Sequence, residues 1–424
     1  MKNTIKKSTV AGEEINSISI SSQGITIVPV NQKLEPLCNA LTWLDARAKT
    51  ETERIRHDFG AKEILSITGN LISPLYTLPK LMWIKSNLPQ IYDNAWKFLL
   101  PMDYLIAKFT GICATDYSMA TGTLCFDLNS FSWSRKILDH YEIDVEKLPD
   151  VVASGTKIGF VLPEIAENLG LKKDCVVALG AQDQKCAAFG AGLEKGVMTI
   201  SLGTAGAIMR LIGDENRIDS NFGRCGYLEK NSFVTEAVIN TAGTCLRWIR
   251  DMLFNGEDYD LINREALSAR QHGSKLMFYP HLAGPSAPNY YPDSTGVFYG
   301  VNLATNRGDF ALAVMEGIAF QIRAILERMG AYKDVHTIVL FGGGAKSELW
   351  SSIIADITGL KIYVTKSSEV AGAGAAMLAA KAVGSIIGPI AKDREYFPEN
   401  ADEYNKKYLE YMAVEKRIWG HDGK

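Results

Sequence analysis

Apolar and polar positions follow two patterns that alternate along the chain. In the first pattern, short runs rich in apolar and β-branched residues are bounded by glycine, proline or polar residues, which is typical of buried strands. These runs predict strands at 17–21, 25–30, 176–179, 197–202, 232–239, 275–279, 337–341 and 361–364.

In the second pattern, apolar residues recur every three or four positions, which indicates amphipathic helices. The clearest case is 309–329, where Asp309 stands at the predicted N-cap position. Further helices are predicted at 47–59, 244–254, 347–358 and 402–417. Strands and helices that alternate in this way predict an α/β protein.

The length and charge of the chain narrow the class of protein. Its 424 residues suit two large domains or three small ones. The stretch at 192–196, which begins and ends with glycine, marks the best boundary, and it predicts domains at 1–193 and 194–424. Because 45 Lys and Arg residues face 48 Asp and Glu residues, the chain has no general basic field. Neither a nucleic acid nor an anionic membrane surface is therefore expected as a partner.

The seven cysteines and one apolar stretch indicate the cellular compartment of the protein and whether the chain crosses a membrane. The cysteines are scattered and never spaced Cys-x-x-Cys, which predicts reduced thiols in a cytoplasmic protein and no zinc site. The stretch at 370–390 has a single charge, Lys381, but it consists mostly of Ala and Gly. Such a composition favours a helix packed tightly in a protein core over a membrane span.

A candidate catalytic residue follows the strand predicted at 176–179. The strand runs into Gly-Ala-Gln-Asp-Gln at 180–184, which predicts Asp183 at the carboxyl end of a strand and the start of a helix. Ligands of α/β proteins bind at such strand ends. An ionised Asp183 could take a proton from a substrate hydroxyl there. The alternative interpretation is that Asp183 only caps the helix that follows it.

Two glycine-containing turns are candidate phosphate sites. The first, Ser-Leu-Gly-Thr-Ala-Gly at 201–206, joins two predicted strands, and its amide groups and hydroxyls could face phosphate oxygens. The second, Phe-Gly-Gly-Gly-Ala-Lys-Ser at 341–347, joins a strand to a helix and favours a close approach of an anion to the backbone. Neither is a Walker A or Gly-x-Gly-x-x-Gly motif. A plain hairpin and a plain tight turn are the alternatives.

Taken together and in this order, these segments resemble the FGGY carbohydrate kinases, and within them the xylulose-kinase-like branch. The resemblance runs from about residue 17 to the last helix and includes further motifs: Trp-Leu-Asp-Ala-Arg at 43–47, Thr-Gly-Asn at 68–70, Pro-Lys-Leu at 79–81, Pro-Met-Asp-Tyr-Leu at 101–105, Thr-Gly at 110–111, Ala-Thr-Asp-Tyr-Ser at 114–118, Leu-Pro at 148–149, Ala-Gly-Thr at 242–244, Trp248, Glu-Gly at 316–317, Trp350 and Ala-Asp at 355–356. It implies an α/β fold of the actin-like ATPase (ribonuclease-H-like) type, with two domains around a central cleft. The domain at 1–193 would bind the sugar and the domain at 194–424 the nucleotide.

The resemblance also implies roles for individual residues. Asp183 matches the base that deprotonates the sugar hydroxyl before it attacks the γ-phosphate of ATP, and it is a candidate contact for Mg²⁺. Gln23 and Gln184 match positions that contact the sugar or polyol. The implied ATP-binding residues are Ser201, Gly203, Thr204, Gly243, Gly343, Gly344 and Ser347. ATP and Mg²⁺ are the implied cofactors, the substrate is a ketose such as xylulose or a related sugar or polyol, and a homodimer is compatible with the class.

The chain departs from the family pattern in two places. Where xylulose kinases typically show Gln-Met-His-Gly, residues 23–26 read Gln-Gly-Ile-Thr. A lost hydrogen-bonding group changes the selectivity of a sugar site strongly, so the identity of the sugar stays open. Family members also open with a hairpin that carries Asp-x-Gly-Thr, and no such motif precedes residue 17.

This second departure predicts an incomplete N-terminal domain and a chain that is a poor or inactive kinase. A catalytically inactive sugar- and nucleotide-binding remnant, or a regulatory pseudokinase of the same family, is the alternative to a working enzyme. A non-enzymatic actin-like scaffold explains less, because Asp183 and Gln184 would then serve only as helix-start residues.

Overall fold

The computed structural model describes residues 2–213 and 222–420, and strands and helices alternate through both segments. The first half contains ten helices and nine strands: α1 (Lys2–Lys7), β1 (Ser17–Ser22), β2 (Val28–Val30), α2 (Lys49–Asp58), α3 (Gly60–Thr68), α4 (Thr77–Asn87), α5 (Pro89–Asn94), β3 (Lys97–Leu99), α6 (Pro101–Thr110), β4 (Ala114–Asp116), α7 (Tyr117–Thr121), β5 (Phe126–Asp127), β6 (Ser132–Trp133), α8 (Arg135–His140), β7 (Asp150–Val152), β8 (Lys157–Phe160), α9 (Pro163–Leu169), β9 (Val176–Gln182) and α10 (Asp183–Gly190).

The second half continues with nine strands and six helices among the residues that the structure describes: β10 (Val197–Leu202), β11 (Gly206–Ile212), β12 (Gly223–Gly226), β13 (Phe233–Ile239), α11 (Gly243–Leu253), α12 (Tyr259–Gln271), β14 (Met277–Tyr279), β15 (Val297–Tyr299), α13 (Arg307–Arg328), β16 (Thr337–Phe341), α14 (Glu348–Thr358), β17 (Lys361–Thr365), α15 (Val370–Lys381), β18 (Lys392–Tyr396) and α16 (Ala401–Trp419). The α/β class predicted from the alternation is confirmed.

Two sheets organise the two halves. In the first half, β1 pairs in parallel with β9, and β8 pairs with the other edge of β9. In the second half, seven strands lie in the order β12-β13-β11-β10-β16-β17-β18, and β10, β16 and β17 are parallel. Because parallel strands end at the same edge of a sheet, the turns that follow β10 and β16 are brought together. In the same way, Ser22 at the end of β1 lies opposite Gln182 at the end of β9.

Two predicted elements begin at different residues from those expected. The strand predicted at 25–30 is reduced to β2, because Ile25 has a φ of 69° and so lies in the left-handed region, outside extended backbone. The helix predicted to begin at Asp309 begins instead at Arg307, after the N-cap Asn306. The carboxylate of Asp309 accepts from the amide of Asn306, which completes a capping box.

Each half of the chain has its own apolar core or cores. α13 is buried on almost every face and lies at the centre of the largest core, together with the sheet of the second half and helices α11, α12, α14 and α16. A second core lies between the helices of the first half, and a third joins β1 and β9 to α6 and α9. A helix that is apolar all round is the expected centre of such a core.

Helix α15 contains the small-residue stretch and packs against α10, β1 and β9. The contact is one of backbone against backbone, because Gly374 of α15 lies against the carbonyl of Cys186 and Gly190 of α10 lies against the carbonyl of Val370. The packed helix of small residues predicted for 370–390 is therefore confirmed for 370–381, and the stretch from 382 to 390 is not helical. Within the described residues, no helix is both long and apolar enough to cross a membrane.

We expect Gly374→Ala to destabilise the protein, because a Cβ there would overlap the carbonyl oxygen of Cys186 and force the two helices apart. Overpacking of this kind lowers the free energy of unfolding by about 1–3 kcal/mol. The matched control is Gly372→Ala in the same helix, where a Cβ would meet nothing within 4 Å. Because alanine favours helix over glycine by about 1 kcal/mol, the control should keep or raise stability. Urea denaturation measures both, and equal effects would contradict the proposed close contact.

Candidate functional site

Asp183 is the first residue of α10, directly after β9 ends at Gln182. Asp183 is not the N-cap of this helix, as the alternative interpretation supposed, because the N-cap is Gln182, whose side-chain oxygen accepts from the amides of Gln184, at 3.1 Å, and Lys185. The Oδ1 atom of Asp183 accepts from the amide of Gln184, at 2.7 Å, and from the side-chain amide of Gln182. Within the described part of the chain, both of these hydrogen bonds use Oδ1 and leave Oδ2 without a partner.

An open cavity of about 770 Å³ contains Asp183 and Gln23. Its walls are β1, including Ser21 and Ser22, and the small-residue face of α15. The side chain of Gln23 donates to the hydroxyl of Thr26 at 3.3 Å, and Gln184 is partly exposed next to Asp183. Burial raises the pKa of Asp183 above its ordinary value, against the lowering effect of the Gln184 amide and the nearby Lys185 charge.

The buried ion pair of Lys185 with Glu236 lies beside Asp183 and was not predicted from the sequence. The Lys185 Nζ atom is 2.6 Å from a Glu236 carboxylate oxygen, and the two side chains are 7% and 20% exposed. Lys185 follows Asp183 by two residues on α10, whereas Glu236 lies on β13 in the sheet of the second half. The only sequence signal is a lysine in the first turn of the predicted helix, two residues after Asp183, and it does not indicate the partner.

The two glycine turns meet in the second half of the molecule. The turn of the β10–β11 hairpin holds Gly203 and Thr204, and the amide of Gly243 donates to the carbonyl of Gly203 at 2.8 Å. Gly342, with a φ of 95°, lies where a Cβ would be 2.9 Å from the carbonyl oxygen of Leu202. Such close backbone approaches require glycine at these positions.

A cavity of about 610 Å³ lies between these turns, a size that suits a small-molecule ligand. Six of the residues predicted to bind ATP line it or flank it: Gly203, Thr204, Gly243, Gly343, Gly344 and Ser347. Ser201 lies at the end of β10, next to the hairpin turn, and does not line the cavity. The hydroxyl of Ser347 is already used, since it donates to Asn263 at 2.8 Å and caps α14 by accepting from the amide of Trp350.

Several residues of this wall were missed by the sequence reasoning. Arg247 on α11 reaches the hydroxyl of Thr204, at 3.5 Å, and Asn263 lies on α12, a helix that the apolar pattern did not predict. The remaining missed residues of the wall are Leu246, Tyr259, Asp260, Lys346 and Trp350. Asp258, which caps α12, is the local signal that could have located this helix.

The cavity that Asp183 lines and the cavity between the glycine turns share no residue. The Lys185–Glu236 pair bridges them, because Glu236 lies three residues before the end of β13, and Ile239 at that end pairs with Gly206 of the hairpin. Three residues of strand span roughly 10 Å. Among the described residues there is no group of three or more His, Cys, Asp or Glu side chains that could hold a metal ion.

A two-domain α/β chain with a carboxylate at one strand end and a glycine-lined cavity at another has the architecture of an ATP-dependent phosphotransferase. The comparisons with known families specify it further. The model of the N-terminal domain of the FGGY family of carbohydrate kinases matches residues 1–190, and that of the C-terminal domain matches residues 198–383. The chain belongs to the FGGY family of carbohydrate kinases.

Curated relatives support the same activity. A xylulose kinase of Bacillus subtilis (strain 168) is 32% identical over 98% of this chain and 84% of its own length. A gluconokinase of the same strain is 28% identical over 88% of this chain and 75% of its own length. The chain is therefore similar to enzymes that phosphorylate sugars with ATP, and the alternative of an inactive remnant or regulatory pseudokinase gains no support.

Solved structures agree in fold. A ligand-bound xylulose kinase from Lactobacillus acidophilus has a TM-score of 0.89 and 26% identity, covering 99% of this chain and 87% of its own. A gluconate kinase from the same species has the same TM-score, identity and coverage. The predicted fold class is confirmed. The incomplete N-terminal domain, the poor or absent kinase activity inferred from it and the domain boundary at 193/194 stay predictions, and the substrate screen described below tests the activity.

We expect Asp183→Asn to stabilise the folded chain at pH 7.5. Because burial raises the pKa of Asp183 in the folded state, keeping the carboxylate charged costs stability above the folded-state pKa. This cost disappears below the unfolded value of 3.8, where the carboxyl is protonated in both states. The substitution should therefore raise the urea midpoint at pH 7.5 and leave it unchanged near pH 3.5. The exposed Asp139→Asn is the matched control, and a loss of stability in Asp183→Asn at pH 7.5 would contradict the expectation.

Proposed function

We propose that this carbohydrate kinase transfers the γ-phosphoryl group of ATP to a hydroxyl of a neutral ketose or polyol, with xylulose as the first candidate, and that Asp183 is the general base. The observation that carries the proposal is a half-buried carboxylate, Asp183, at the end of a parallel strand and in the wall of an open cavity that Gln23 also lines. A curated relative and a solved structure that both carry the name xylulose kinase support the choice of substrate.

The environment of Asp183 suits proton removal from an alcohol. Its Oδ1 atom is fixed by two hydrogen bonds, which leaves Oδ2 to accept the proton of the substrate hydroxyl. A base works best when its pKa approaches the operating pH, and burial moves the pKa of Asp183 in this direction. Gln23 and Gln184 offer amide groups that can bind neighbouring hydroxyls of the sugar.

The cavity between the glycine turns is the proposed nucleotide site. Phosphoryl transfer depends mostly on positioning and on electrostatic stabilisation of the phosphate oxygens. The backbone at Gly203 and Thr204 can donate amide groups to phosphates, Ser201 lies beside this turn, and Arg247 adds a cation next to Thr204. The wall made by Gly343, Gly344 and Ser347 suits the adenosine.

The residues present also fit Mg²⁺ that arrives with ATP. Mg²⁺ usually keeps several waters and takes one or two protein carboxylates together with substrate phosphates, so a site need not contain a cluster of acids. Asp183, which lines the neighbouring cavity together with Gln23, is the carboxylate that could serve as such a ligand. When bound, the ion would neutralise charge on the transferred phosphoryl group.

The charges around Asp183 favour a neutral sugar over a sugar acid. Asp183 and Glu236 are two carboxylates, Lys185 is a single ammonium, and the ammonium is already paired with Glu236. A gluconate-like substrate would add a third carboxylate to this buried region, where like charges repel strongly. The relatives named gluconokinase make gluconate the comparison substrate.

The proposed partners are small molecules, ATP and the sugar, and a homodimer stays a prediction. All seven cysteines are free in the structure and five of them are buried. Free thiols support a location in the reducing cytoplasm.

A substrate screen tests the proposal. ATP consumption by the purified chain is measured by ADP release with xylulose, ribulose, glycerol and gluconate, each at several concentrations. We expect the highest kcat/KM with a ketose or polyol. A kcat/KM for gluconate that exceeds those of all neutral substrates would overturn the assignment of substrate class.

We expect Asp183→Asn to lower turnover by about 10²–10⁴-fold, because the variant cannot accept the proton of the attacking hydroxyl. The affinity for ATP should stay within about threefold, since the nucleotide cavity does not contain residue 183. Steady-state kinetics and equilibrium ATP binding measure the two effects, with the exposed Asp139→Asn as control. Turnover close to that of the parent chain would remove Asp183 from the role of base.

We expect Gly243→Ala to weaken ATP binding by about 10-fold or more, which corresponds to about 1.4 kcal/mol. A Cβ at this position would lie 2.5 Å from the carbonyl oxygen of Gly203 and would displace the hairpin turn. Gly388→Ala is the matched control, because a Cβ there meets nothing within 4 Å and the residue lies outside the cavity. Isothermal titration with MgATP measures the affinities. Equal affinities in the two variants would show that this turn does not bind the nucleotide.

A further inference from the structure

The ion pair of Lys185 with Glu236 connects the two halves of the kinase beside the proposed base. Lys185 belongs to the segment matched by the N-terminal family model, and Glu236 belongs to the segment matched by the C-terminal one. Both side chains are largely removed from solvent, and the 2.6 Å contact is a charge-assisted hydrogen bond. A surface ion pair would add little, but a buried one fixes geometry because neither charge can be left without its partner.

The two ends of helix α10 are held by different contacts. Its second half is packed against α15 by the backbone contacts at Gly190 and Gly374, one to two turns below Asp183. Its first turn, which contains Asp183, has the side-chain cap of Gln182 and the link from Lys185 to β13. The link to β13 is the charged contact between this turn and the sheet that bears the nucleotide cavity, and it adds to the apolar packing of Cys186 with Met209 and Val234 of that sheet.

We propose that Lys185 is a positioning residue, which through Glu236 holds the first turn of α10 and its Asp183 at a fixed distance from the nucleotide-binding half. The proposal rests on the proposed function, because it assigns the base role to Asp183. Lys185 itself need not touch the sugar or the phosphates.

The Glu236 carboxylate keeps Lys185 charged in this partly buried setting. Burial opposes the charge of Lys185, but the nearby Glu236 carboxylate outweighs this effect and raises the pKa of Lys185. The lysine therefore stays available for the charge-assisted hydrogen bond to β13.

The test compares Lys185→Met and Glu236→Gln in the whole chain with the best sugar from the screen. In both variants, kcat should fall while the KM for ATP changes by less than about threefold, because the base is displaced and the nucleotide cavity is left intact. The double variant Lys185→Glu with Glu236→Lys should recover part of the lost kcat, since it restores the pair. A KM for ATP that rises in step with the fall in kcat, or a kcat of Lys185→Met equal to that of the parent chain, would overturn the proposal.

A second readout does not depend on activity. Amide hydrogen exchange in a peptide that spans 180–190 should be about 10-fold faster in Lys185→Met than in the parent chain, because the first turn of α10 opens more often. The double variant Lys185→Glu with Glu236→Lys should restore slow exchange, since it restores the pair. Lys361→Met, which breaks the exposed 2.9 Å pair with Glu395 on the far edge of the second sheet, is the matched control. Unchanged exchange in Lys185→Met would overturn the proposal even if the chain showed no turnover.

Asp183→Asn in the same assays keeps the two proposals apart. If Asp183→Asn retains parent turnover, the base assignment fails, whereas the exchange experiment still decides whether Lys185 fixes the helix. If Asp183→Asn is inactive and both the exchange rate and the kcat of Lys185→Met equal those of the parent, only the positioning role fails.

Discussion

The packing of α10 against α15 is the contact on which the arrangement of this molecule depends. α10 lies in the segment matched by the N-terminal family model and α15 in the segment matched by the C-terminal one, yet their backbones touch at Gly190 and Gly374. Small residues permit this approach, and α15 then covers β1 and β9 as well. Larger side chains would separate the helices and move the start of α10 away from β13, and with it the carboxylate of Asp183.

The charged groups at the start of α10 show why such rigidity matters. Asp183 is held with a raised pKa in a region that also contains Lys185 and Glu236, and an ionised group in this setting costs stability. Functional sites commonly accept this cost in exchange for reactivity. The same carboxylate is therefore expected to reduce the stability of the fold and to support proton transfer, and both effects follow from its burial.

The nucleotide cavity depends on a different constraint, the close approach of three turns. Gly203, Gly243 and Gly342 lie where backbone meets backbone, so side chains are absent from the places that phosphate and adenosine would occupy. The parallel pairing of β10 with β16 sets the distance between the turns. Arg247 on α11 adds a cation to the wall of this cavity, and Asn263 on α12 adds a polar side chain.

The local sequence determined several strands, the two glycine turns and the start of one helix. The runs at 17–21, 197–202 and 337–341 became strands within one residue of their predicted ends, and the glycine turns after two of them became the walls of one cavity. Ser347 was recognisable as a helix start and is the N-cap of α14. These features depend on side-chain periodicity and on backbone freedom, which act over a few residues and can be read without knowledge of the fold.

Only the tertiary structure determined which side chains pair at the site, because these pairs join residues that lie far apart in the chain. Lys185 meets Glu236 across 51 positions and Ser347 meets Asn263 across 84, and neither pairing has a local signal. Gln182, and not Asp183, is the N-cap of α10, because its side-chain oxygen accepts from amides of the first turn. Both hydrogen bonds to Asp183 use the same carboxylate oxygen, Oδ1. Sequence patterns specify which residues can carry charge or approach closely. Only the packing of β9, α10, β13 and α15 determines which charges become neighbours.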